Sequence, residues 1–473
     1  MRLLVPGALL ASAASAALVL LGLTPAGATG APNGPVTAVP ANTPQLNTTG
    51  AVEQVRQLVQ CGGTMYAVGT FTSVKHNSTV TAVNNAFSFS ATAPYNLTTW
   101  APNVNGVINS IAFNGTNCAD AYLGGKFTAV NGTKVANLAE VTTSGTGTLV
   151  TAFGHSANGQ VETLLGAGGH ILAGGYYTTI NGSSTKYMTS LNPTTGKDDG
   201  FINLGISGNY QFACSGPGCP STGQAASNAT RVYNQELSNG GTLDLVMGDF
   251  TSVGGLPRQQ IFMLNLATSP ASVTAWTSPQ WDGSAGEAVR TDNNNDYTSG
   301  YPYECAGVEP FYIQAAAWSP DDSTIYIATT GYHPNGFLTG ATPRNGLCDA
   351  AAAFPATQAP VTSEWINYPG CDSLFAAAAD SSTAYFAGHE RWASNPNDCD
   401  AQGPTAIPAA GFEGLSPTTG ALTFNPTRAR GLGADDMLDT TAGLWIASDN
   451  QNGAVQCAGK SGHAGICFLP YAS

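Results

Sequence analysis

The sequence predicts an all-β fold, a seven-bladed β-propeller of four-stranded antiparallel blades. First, a short phrase of apolar residues and glycine recurs along the 473-residue chain, and a period of tens of residues is typical of a repeat fold. Second, the 57 glycines and 28 prolines suit short strands and tight turns and disfavour helices. The seven copies are anchored at Gly69, Gly125, Gly175, Gly248, Thr329, Gly388 and Ser448.

The third repeat shows how each unit divides into strands. Asn181-Gly182 marks a tight hairpin, because both residues tolerate the positive φ that such a turn requires. Four antiparallel strands in each of seven repeats describe a propeller. The strands of this repeat are predicted at Gln160 to Leu165, His170 to Thr179, Tyr187 to Asn192, and in a last segment that ends near Leu204.

The two ends of the chain predict how the ring closes. The last repeat contains three strand patterns, the third near Ile466 to Tyr471, so it is one strand short. The segment Val36 to Asn47 precedes the first repeat and is predicted to supply the missing strand, which removes free sheet edges. The alternative is a disordered, proline-rich leader. With closure, residues 29–473 form a single propeller domain.

Residues 1–28 have the features of a secretory signal peptide. Arg2 supplies the positive start, Leu9 to Leu23 is apolar, and Ala26-Gly27-Ala28 fits the small-residue cleavage rule. The alternative is an uncleaved membrane anchor, for which the apolar run is short. The sequence therefore predicts a secreted, extracellular protein that is not held in a membrane after cleavage.

The charge of the chain excludes two classes of partner. Charged residues make up 9% of the sequence and the net charge is -14. Nucleic acid requires a basic surface for its phosphates, and anionic lipid attracts basic segments. Neither partner is expected, and the oligomeric state cannot be read from the sequence.

Ten cysteines in an exported chain predict disulfides. Cys214 with Cys219 and Cys457 with Cys467 look like local staples across loops, and Cys61 and Cys118 occupy matching turns of the first two repeats and could clamp them. Zinc is disfavoured, because no pair has two-residue spacing. The pairing of the remaining cysteines stays open: Cys305, Cys348, Cys371 and Cys399.

The repeat phrase resembles a known family. Gly-Gly-x-Phe-x-x-Val-Asn-Gly, followed by Asn-Leu-Ala and then Thr-Gly, is similar to the delta-60 type β-propeller repeats of secreted actinobacterial proteins. The match is best over Gly124 to Val141 and Gly174 to Gly196, and is weaker over Gly248 to Leu266. The resemblance implies a propeller and export. It carries over no catalytic residues, because the family has no defined activity.

The most unusual polar cluster is His389-Glu390-Arg391-Trp392, which follows the sixth anchor and precedes Asp398. If this segment is a strand, alternation places His389 and Arg391 on one face and Glu390 and Trp392 on the other. Tryptophan with arginine suits stacking on a sugar ring or holding a carboxylate. The alternative is a structural salt bridge that the tryptophan covers.

A second candidate lies at the corresponding point of the fifth repeat, where Tyr332 and His333 follow the anchor. Two neighbouring repeats that depart from the phrase at the same place predict a ligand site between the fifth and sixth blades, since loops on one propeller face converge.

Calcium is the one cofactor that the sequence suggests. Asp292, Asn294 and Asp296 alternate oxygen ligands as calcium loops do, but the glycine and glutamate of the helix-loop-helix site are missing. The alternative is an ordinary turn. No nucleophile elbow, zinc-protease motif or phosphate loop is found.

Three functional hypotheses follow. The leading one is a secreted binding or scaffold module for a glycan, a cell-wall polymer or a protein, so binding is favoured over catalysis. The second is a polysaccharide hydrolase or lyase that uses acids on the propeller face, such as Glu390, Asp398 or Asp435. The third is a structural envelope protein without a ligand. Fold alone does not choose among them.

Overall fold

The computed structural model describes an all-β protein. Every regular element of the described residues is a strand or a bridge, which confirms the predicted class. The predicted signal peptide lies outside the described residues. The structure describes residues 35–48, 50–209, 229–281, 291–292, 305–306, 312–331, 346–357, 360–396, 401–426, 428, 433–451 and 456–472.

Seven antiparallel sheets succeed one another along the described chain, one for each predicted repeat. In each sheet the first strand pairs with the second and the second with the third, in chain order. The first strands are Gln54–Cys61, Val107–Asn114, Val161–Ala167, Arg231–Leu237, Ile313–Trp318, Leu374–Ala379 and Ala434–Thr440. The second strands are Thr64–Thr70, Asn117–Lys126, His170–Gly175, Leu243–Asp249, Thr324–Thr329, Ala384–Gly388 and Gly443–Ser448. The third strands are Ala86–Ser90, Leu138–Thr142, Met188–Leu191, Ile261–Asn265, Ala351–Pro355, Glu413–Leu415 and Ile466–Pro470.

A fourth strand is present in three of these sheets. It spans Ser272–Val273, Trp365–Asn367 and Leu422–Phe424 in the fourth, fifth and sixth sheets. In the other four sheets a single antiparallel bridge occupies the equivalent position. The bridges are Phe89 with Leu97, Val141 with Leu149, Leu191 with Asp198, and Val36 with Tyr471.

Short ribbons connect the main strands of these sheets. A three-stranded one joins Gln45–Leu46, Ser73–His76 and Thr79–Ala82, and another joins Ile206–Ser207, Ser252–Val253 and Leu256–Pro257. The two-stranded ones are Ala129–Val130 with Thr133–Lys134, Thr291–Asp292 with Cys305–Ala306, Trp392–Ala393 with Ile407–Pro408, and Gln456–Cys457 with Lys460–Ser461.

The seven first strands are arranged in a circle. Each contacts the first strand of the next sheet, and the seventh contacts the first. The apolar core lies between neighbouring sheets: Val68 of the first sheet, for example, packs in one cluster with Ile111 and Leu123 of the second. Burying such strand faces against the next sheet is the main source of stability.

The seven anchor residues occupy equivalent positions. Each lies opposite a buried apolar residue of its first strand, and in every sheet the register shifts immediately after that pair, which marks a β-bulge. The pairs are Val55 with Gly69, Ile108 with Gly125, Val161 with Gly175, Val232 with Gly248, Ile313 with Thr329, Leu374 with Gly388, and Ala434 with Ser448.

Close backbone approach explains the glycine at most anchors. A Cβ atom on Gly125 would lie 2.1 Å from the carbonyl oxygen of Val107, and one on Gly388 would lie 2.1 Å from that of Ser373. A residue with a Cβ atom cannot be accommodated at this distance, so only glycine fits. In the fifth sheet Thr329 stands at this position, and its hydroxyl bonds to the backbone of Ala350.

The N-terminal segment lies along the third strand of the seventh sheet. The Thr37 amide donates to the carbonyl oxygen of Pro470 at 2.8 Å, and the Leu46 amide donates to that of Ala464 at 2.8 Å. Leu46 is 1% exposed and packs with Val55 of the first sheet. Residues from the two ends of the chain therefore share hydrogen bonds and core.

Two of the predicted disulfides are confirmed. Cys61 is bonded to Cys118, which ties the first sheet to the second, and Cys457 is bonded to Cys467, which ties the ribbon at Gln456–Cys457 to the third strand of the seventh sheet. Cys348 and Cys371 also take part in disulfides. The side chains of the other four cysteines lie outside the described residues: Cys214, Cys219, Cys305 and Cys399.

Leu46→Ala tests the contribution of the N-terminal segment. We expect the free energy of unfolding to fall by about 2–5 kcal/mol, because the substitution empties a buried site between the ends of the chain. Val39→Ala in the same segment should change it by less than about 0.5 kcal/mol, since Val39 is 67% exposed. Equal urea midpoints for the two variants would contradict a stabilising role for the segment.

Gly125→Ala tests the anchor. The added Cβ collides with backbone, which cannot move aside as a side chain can, so we expect a loss of about 1–3 kcal/mol in thermal or urea unfolding. Gly63→Ala is the control, because a Cβ there meets no heavy atom within 4 Å. A Gly125→Ala variant as stable as Gly63→Ala would show that the close approach is not a constraint.

Candidate functional site

The bulges place one side chain from every sheet in a common cavity. The bulged residue follows the buried apolar residue of each first strand, and all seven bulged residues line one cavity of about 290 Å³. Because the first strands form a circle, this cavity lies at its centre, and we call it the axial cavity. Its ring consists of Arg56, Asn109, Glu162, Tyr233, Gln314, Phe375 and Asp435.

A hydrogen-bonded chain joins the first three members of the ring. Arg56 Nη1 donates to Asn109 Oδ1 at 3.0 Å, and Asn109 Nδ2 donates to Glu162 Oε2 at 3.0 Å. The same nitrogen donates to the carbonyl oxygen of Val161 at 3.1 Å. These bonds orient three polar side chains from three different sheets toward the axis.

Aromatic rings and a second arginine form another part of the wall. The Arg231 guanidinium lies 4.9 Å from the ring centre of Tyr176 and 5.1 Å from that of Tyr233, and it donates to the Tyr176 hydroxyl. The Tyr233 hydroxyl donates to the carbonyl oxygen of Ile313. The stacked guanidinium is held in place, so its planar donors have a defined direction.

Three polar atoms of the wall have no hydrogen-bond partner among the described residues. They are Arg56 Nε, Arg231 Nε and Asp435 Oδ2, and each of these atoms is buried from solvent. Buried polar groups are almost always paired in native proteins. Two donors and one acceptor in the wall of the axial cavity are therefore unsatisfied among the described residues.

The acids of the axial cavity are shifted toward their protonated forms. Burial raises the pKa of Asp435 to about 7, against the opposing effect of Arg56 and with a further upward contribution from Asp449. Burial also raises the pKa of Glu162, although Arg231 and Arg56 oppose that shift. Raised carboxyl pKa values in a cleft are one mark of a functional site.

Behind Asp435 lies a buried charged cluster that includes the predicted candidate Glu390. Glu390 and Glu413 are 0% exposed, and their carboxylate oxygens have no hydrogen-bond partner among the described residues. Burial raises the pKa of Glu390 to about 8, against the effect of Arg428, and raises that of Glu413 well above its ordinary value. Glu390 is not among the residues that line the axial cavity.

Residues 389–391 of the predicted cluster lie between two strands rather than within one. The second strand of the sixth sheet ends at Gly388 and the next strand begins at Trp392, so the expected alternation of faces is wrong. Arg391 makes a two-point ion pair with Asp372, at 2.6 Å and 3.1 Å, and stacks on Trp392 at 4.5 Å. This geometry corresponds to the structural alternative, while ligand binding by these residues stays a prediction.

His389 is the member of the predicted cluster that reaches the ring. Its imidazole lies edge-on to Phe375, with ring centres 5.2 Å apart. Phe375 is the bulged residue of the sixth sheet and lines the axial cavity. His389 therefore lies one layer outside the ring, and ligand binding by it stays a prediction.

Several predicted site residues lie outside the described part of the chain. This holds for Tyr332, His333 and Asp398, and for the side chains of the calcium candidates Asp292, Asn294 and Asp296. Those assignments stay predictions. Within the described residues, no three histidine, cysteine, aspartate or glutamate side chains form a metal-binding group.

The ring itself was missed by sequence reasoning. Of its members, only Asp435 was named from the sequence, as a possible acid on the propeller face; the others stand inside apolar strands and look unremarkable when each repeat is read alone. Aligning the first strands on their buried apolar residue would have shown a polar or aromatic residue in the next position of every repeat, as in Val55-Arg56, Ile108-Asn109 and Val161-Glu162.

Comparisons with known proteins show a loose likeness of fold. No protein-family model and no curated protein sequence matches the chain, so the delta-60 resemblance stays a prediction. Structural neighbours are β-propeller domains. The WD40 β-propeller domain of Doa1 has 9% identity and a TM-score of 0.39, with 91% of this chain and 96% of that chain covered. The Myceliophthora thermophila Cps50 (Swd1) β-propeller domain has 9% identity and a TM-score of 0.38, with 71% and 80% covered.

A third solved structure, Saccharomyces cerevisiae Sqt1, has 8% identity and a TM-score of 0.40, with 92% of this chain and 100% of that chain covered. Similarity at this level assigns no function. No helix with the length and apolar character of a membrane span occurs in the described part of the chain.

Asp435→Asn tests the electrostatics of the axial cavity. Between the ordinary pKa of 3.8 and the raised value near 7, folded protein holds a proton at Asp435 that unfolded protein has lost. The free energy of unfolding of the wild type therefore falls as pH rises from 4 to 7. The variant should lack this contribution, so its stability relative to the wild type should increase by roughly 2–4 kcal/mol over that range in urea titrations.

Asp321→Asn is the control for this titration. Asp321 is exposed, and hydrogen bonds from Ser319 and Ser323 lower its pKa below 3.8, so its effect on stability should be constant above about pH 5. Parallel stability curves for Asp435→Asn and the wild type between pH 4 and 7 would show that Asp435 is ionised like an ordinary surface carboxyl.

Proposed function

We propose that this chain is a secreted β-propeller of seven four-stranded blades, closed by its N-terminal segment, that binds the end of a glycan in the axial cavity. The observation that carries the proposal is the ring itself. Seven repeats contribute one side chain each to a single cavity, and three polar atoms in its wall lack partners among the described residues. Disulfides in the described structure are consistent with an extracellular location.

The chemistry of the wall suits a polyhydroxylated ligand. A sugar hydroxyl both donates and accepts, and the wall offers arginine donors and a carboxyl acceptor together with the faces of Tyr233 and Phe375. A volume of about 290 Å³ is at the small end of ligand sites, which span roughly 300–1,000 Å³. The cavity is therefore suited to one sugar residue at the end of a chain, with the remainder of the polymer outside.

A hydrolase or lyase is the second candidate function. Glu162 and Asp435 line the same cavity, and the pKa of Asp435 near 7 would keep a large fraction of it protonated at neutral pH. A protonated acid and a second carboxyl group around one sugar are the elements of glycoside cleavage. In that case Asp435 would protonate the leaving oxygen and Glu162 would act as base or nucleophile.

One experiment tests both candidates. The purified mature protein is incubated with soluble and insoluble wall and plant polysaccharides, and both retention and new reducing or unsaturated ends are measured. For the polymer that is retained, Arg231→Met should weaken binding about tenfold or more, because a directed charged donor is lost while the stem still packs on the tyrosines. Lys186→Met is the control, since Lys186 is exposed and outside the cavity.

The outcomes separate the candidates. Retention without new ends, lost in Arg231→Met and kept in Lys186→Met, supports a binding module. New ends that disappear in both Asp435→Asn and Glu162→Gln support the enzyme. Retention that is equal in the wild type and Arg231→Met refutes the axial site, and no retention of any polymer refutes glycan binding and favours a protein partner or a structural role.

A further inference from the structure

A second cavity lies at the opposite end of the circle of first strands. The axial cavity is lined by the beginnings of these strands, whereas the second cavity, of about 360 Å³, is lined by their later residues. Gln57 and Asp436 line both and stand between them. The Asp436 carboxylate accepts from the Leu58 amide at 3.0 Å, and the Gln57 amide oxygen accepts from the Ile111 amide at 2.7 Å. The two residues are thus fixed in place.

The second cavity combines apolar walls with acids. Leu164, Leu237 and Met437 are among its apolar lining residues, and Glu236 and Asp439 join Asp436 as its acids. Among the described residues that line it, none is a lysine, arginine or histidine. The axial cavity, by contrast, contains two arginines. The axial cavity therefore combines acids with arginines, whereas the acids of the second cavity have no cationic side chain in the described lining.

A buried acceptor in the same wall lacks a partner. Gln235 lines the second cavity and is 6% exposed. Its Nε2 donates to Thr163 Oγ1 at 3.2 Å, while its Oε1 has no hydrogen-bond partner among the described residues. An amide oxygen can only accept, so the missing partner must be a donor. This observation is independent of the acids and points to the same kind of ligand.

We propose that the second cavity binds an organic ammonium ion with an apolar body. The ammonium group donates hydrogen bonds to Gln235 Oε1 and to the carboxylates of Glu236 and Asp439, and the hydrocarbon part packs on the leucines and the methionine. An ammonium group has three donors and no acceptor, which matches a wall whose one unpartnered buried polar atom among the described residues, Gln235 Oε1, is an acceptor. The size of the cavity suits a ligand of a few carbon atoms beyond the nitrogen.

The acids around this cavity make binding sensitive to pH. Burial raises the pKa of Asp439 to about 7 and that of Asp436 to about 6, and it raises that of Glu236 well above its ordinary value. Two further acids add negative charge behind them, Asp244 next to Glu236 and Asp380 next to Asp439. A bound cation favours the ionised acids, so binding releases protons and should strengthen as pH rises from 6 to 8.

Three six-carbon probes test the proposal on the wild-type protein. Hexylammonium, hexanol and hexanoate share an apolar body and differ in charge, so their dissociation constants by calorimetry separate the charge effect from burial. We expect hexylammonium to bind about tenfold more tightly than hexanol at pH 8, because charge-assisted hydrogen bonds are stronger than neutral ones. Hexanoate should bind most weakly. Hexylammonium that binds no better than hexanol would overturn the proposal.

Variants locate the binding. Glu236→Gln and Asp439→Asn keep the shape of the wall and remove charge, so each should reduce the preference for hexylammonium over hexanol. Glu364→Gln is the control, since Glu364 is exposed and outside the cavity. A preference that survives both cavity variants, or falls equally in Glu364→Gln, would place the amine elsewhere and refute the site. This test is independent of the proposed glycan site, because that site and its Arg231 lie in the axial cavity.

Discussion

One backbone contact recurs around the molecule and determines much of its architecture. At most anchors a glycine of the second strand lies against a carbonyl group of the first strand, at a distance that a Cβ atom would forbid. The bulge beside this contact inserts one extra residue into every first strand. Because the contact repeats at the same position in each sheet, the seven extra residues point to the same place. The ring of the axial cavity is a direct result of that repetition.

The distribution of charge follows from the same geometry. The sequence is poor in charged residues, and its sheets bury apolar faces against each other, so polar side chains are concentrated where this packing is interrupted. The centre of the circle is such a place, because the first strands line one cavity with their beginnings and a second cavity with their later residues. The arginines lie at one end together with acids, whereas the acids at the other end have no cationic side chain in the described lining. Burial raises the carboxyl pKa values at both ends, so the charge of both cavities changes with pH.

The candidate site shows how far reading along the chain can go. The cluster at His389 to Trp392 attracted attention because it departs from the repeat phrase, and it lies close to the ring through His389 and Phe375. Arg391 and Trp392, however, are engaged with each other and with Asp372. The ring residues conform to the repeat and vary only in side chain. A departure from a pattern is easy to see in sequence, whereas a variable position within the pattern is meaningful only when the repeats are superposed.

The sequence by itself determined the all-β class, the positions of the seven anchors and two disulfides. These features depend on local chemistry: glycine where backbone approaches backbone, apolar alternation in strands, and cysteines at matching turns. Tertiary structure alone decided which residues share a cavity. Arg56 and Asp435 are nearly 400 positions apart and interact in the same wall, because the first and seventh sheets are neighbours in the circle. No local pattern records that neighbourhood, since it arises only when all the sheets have packed and the last has met the first.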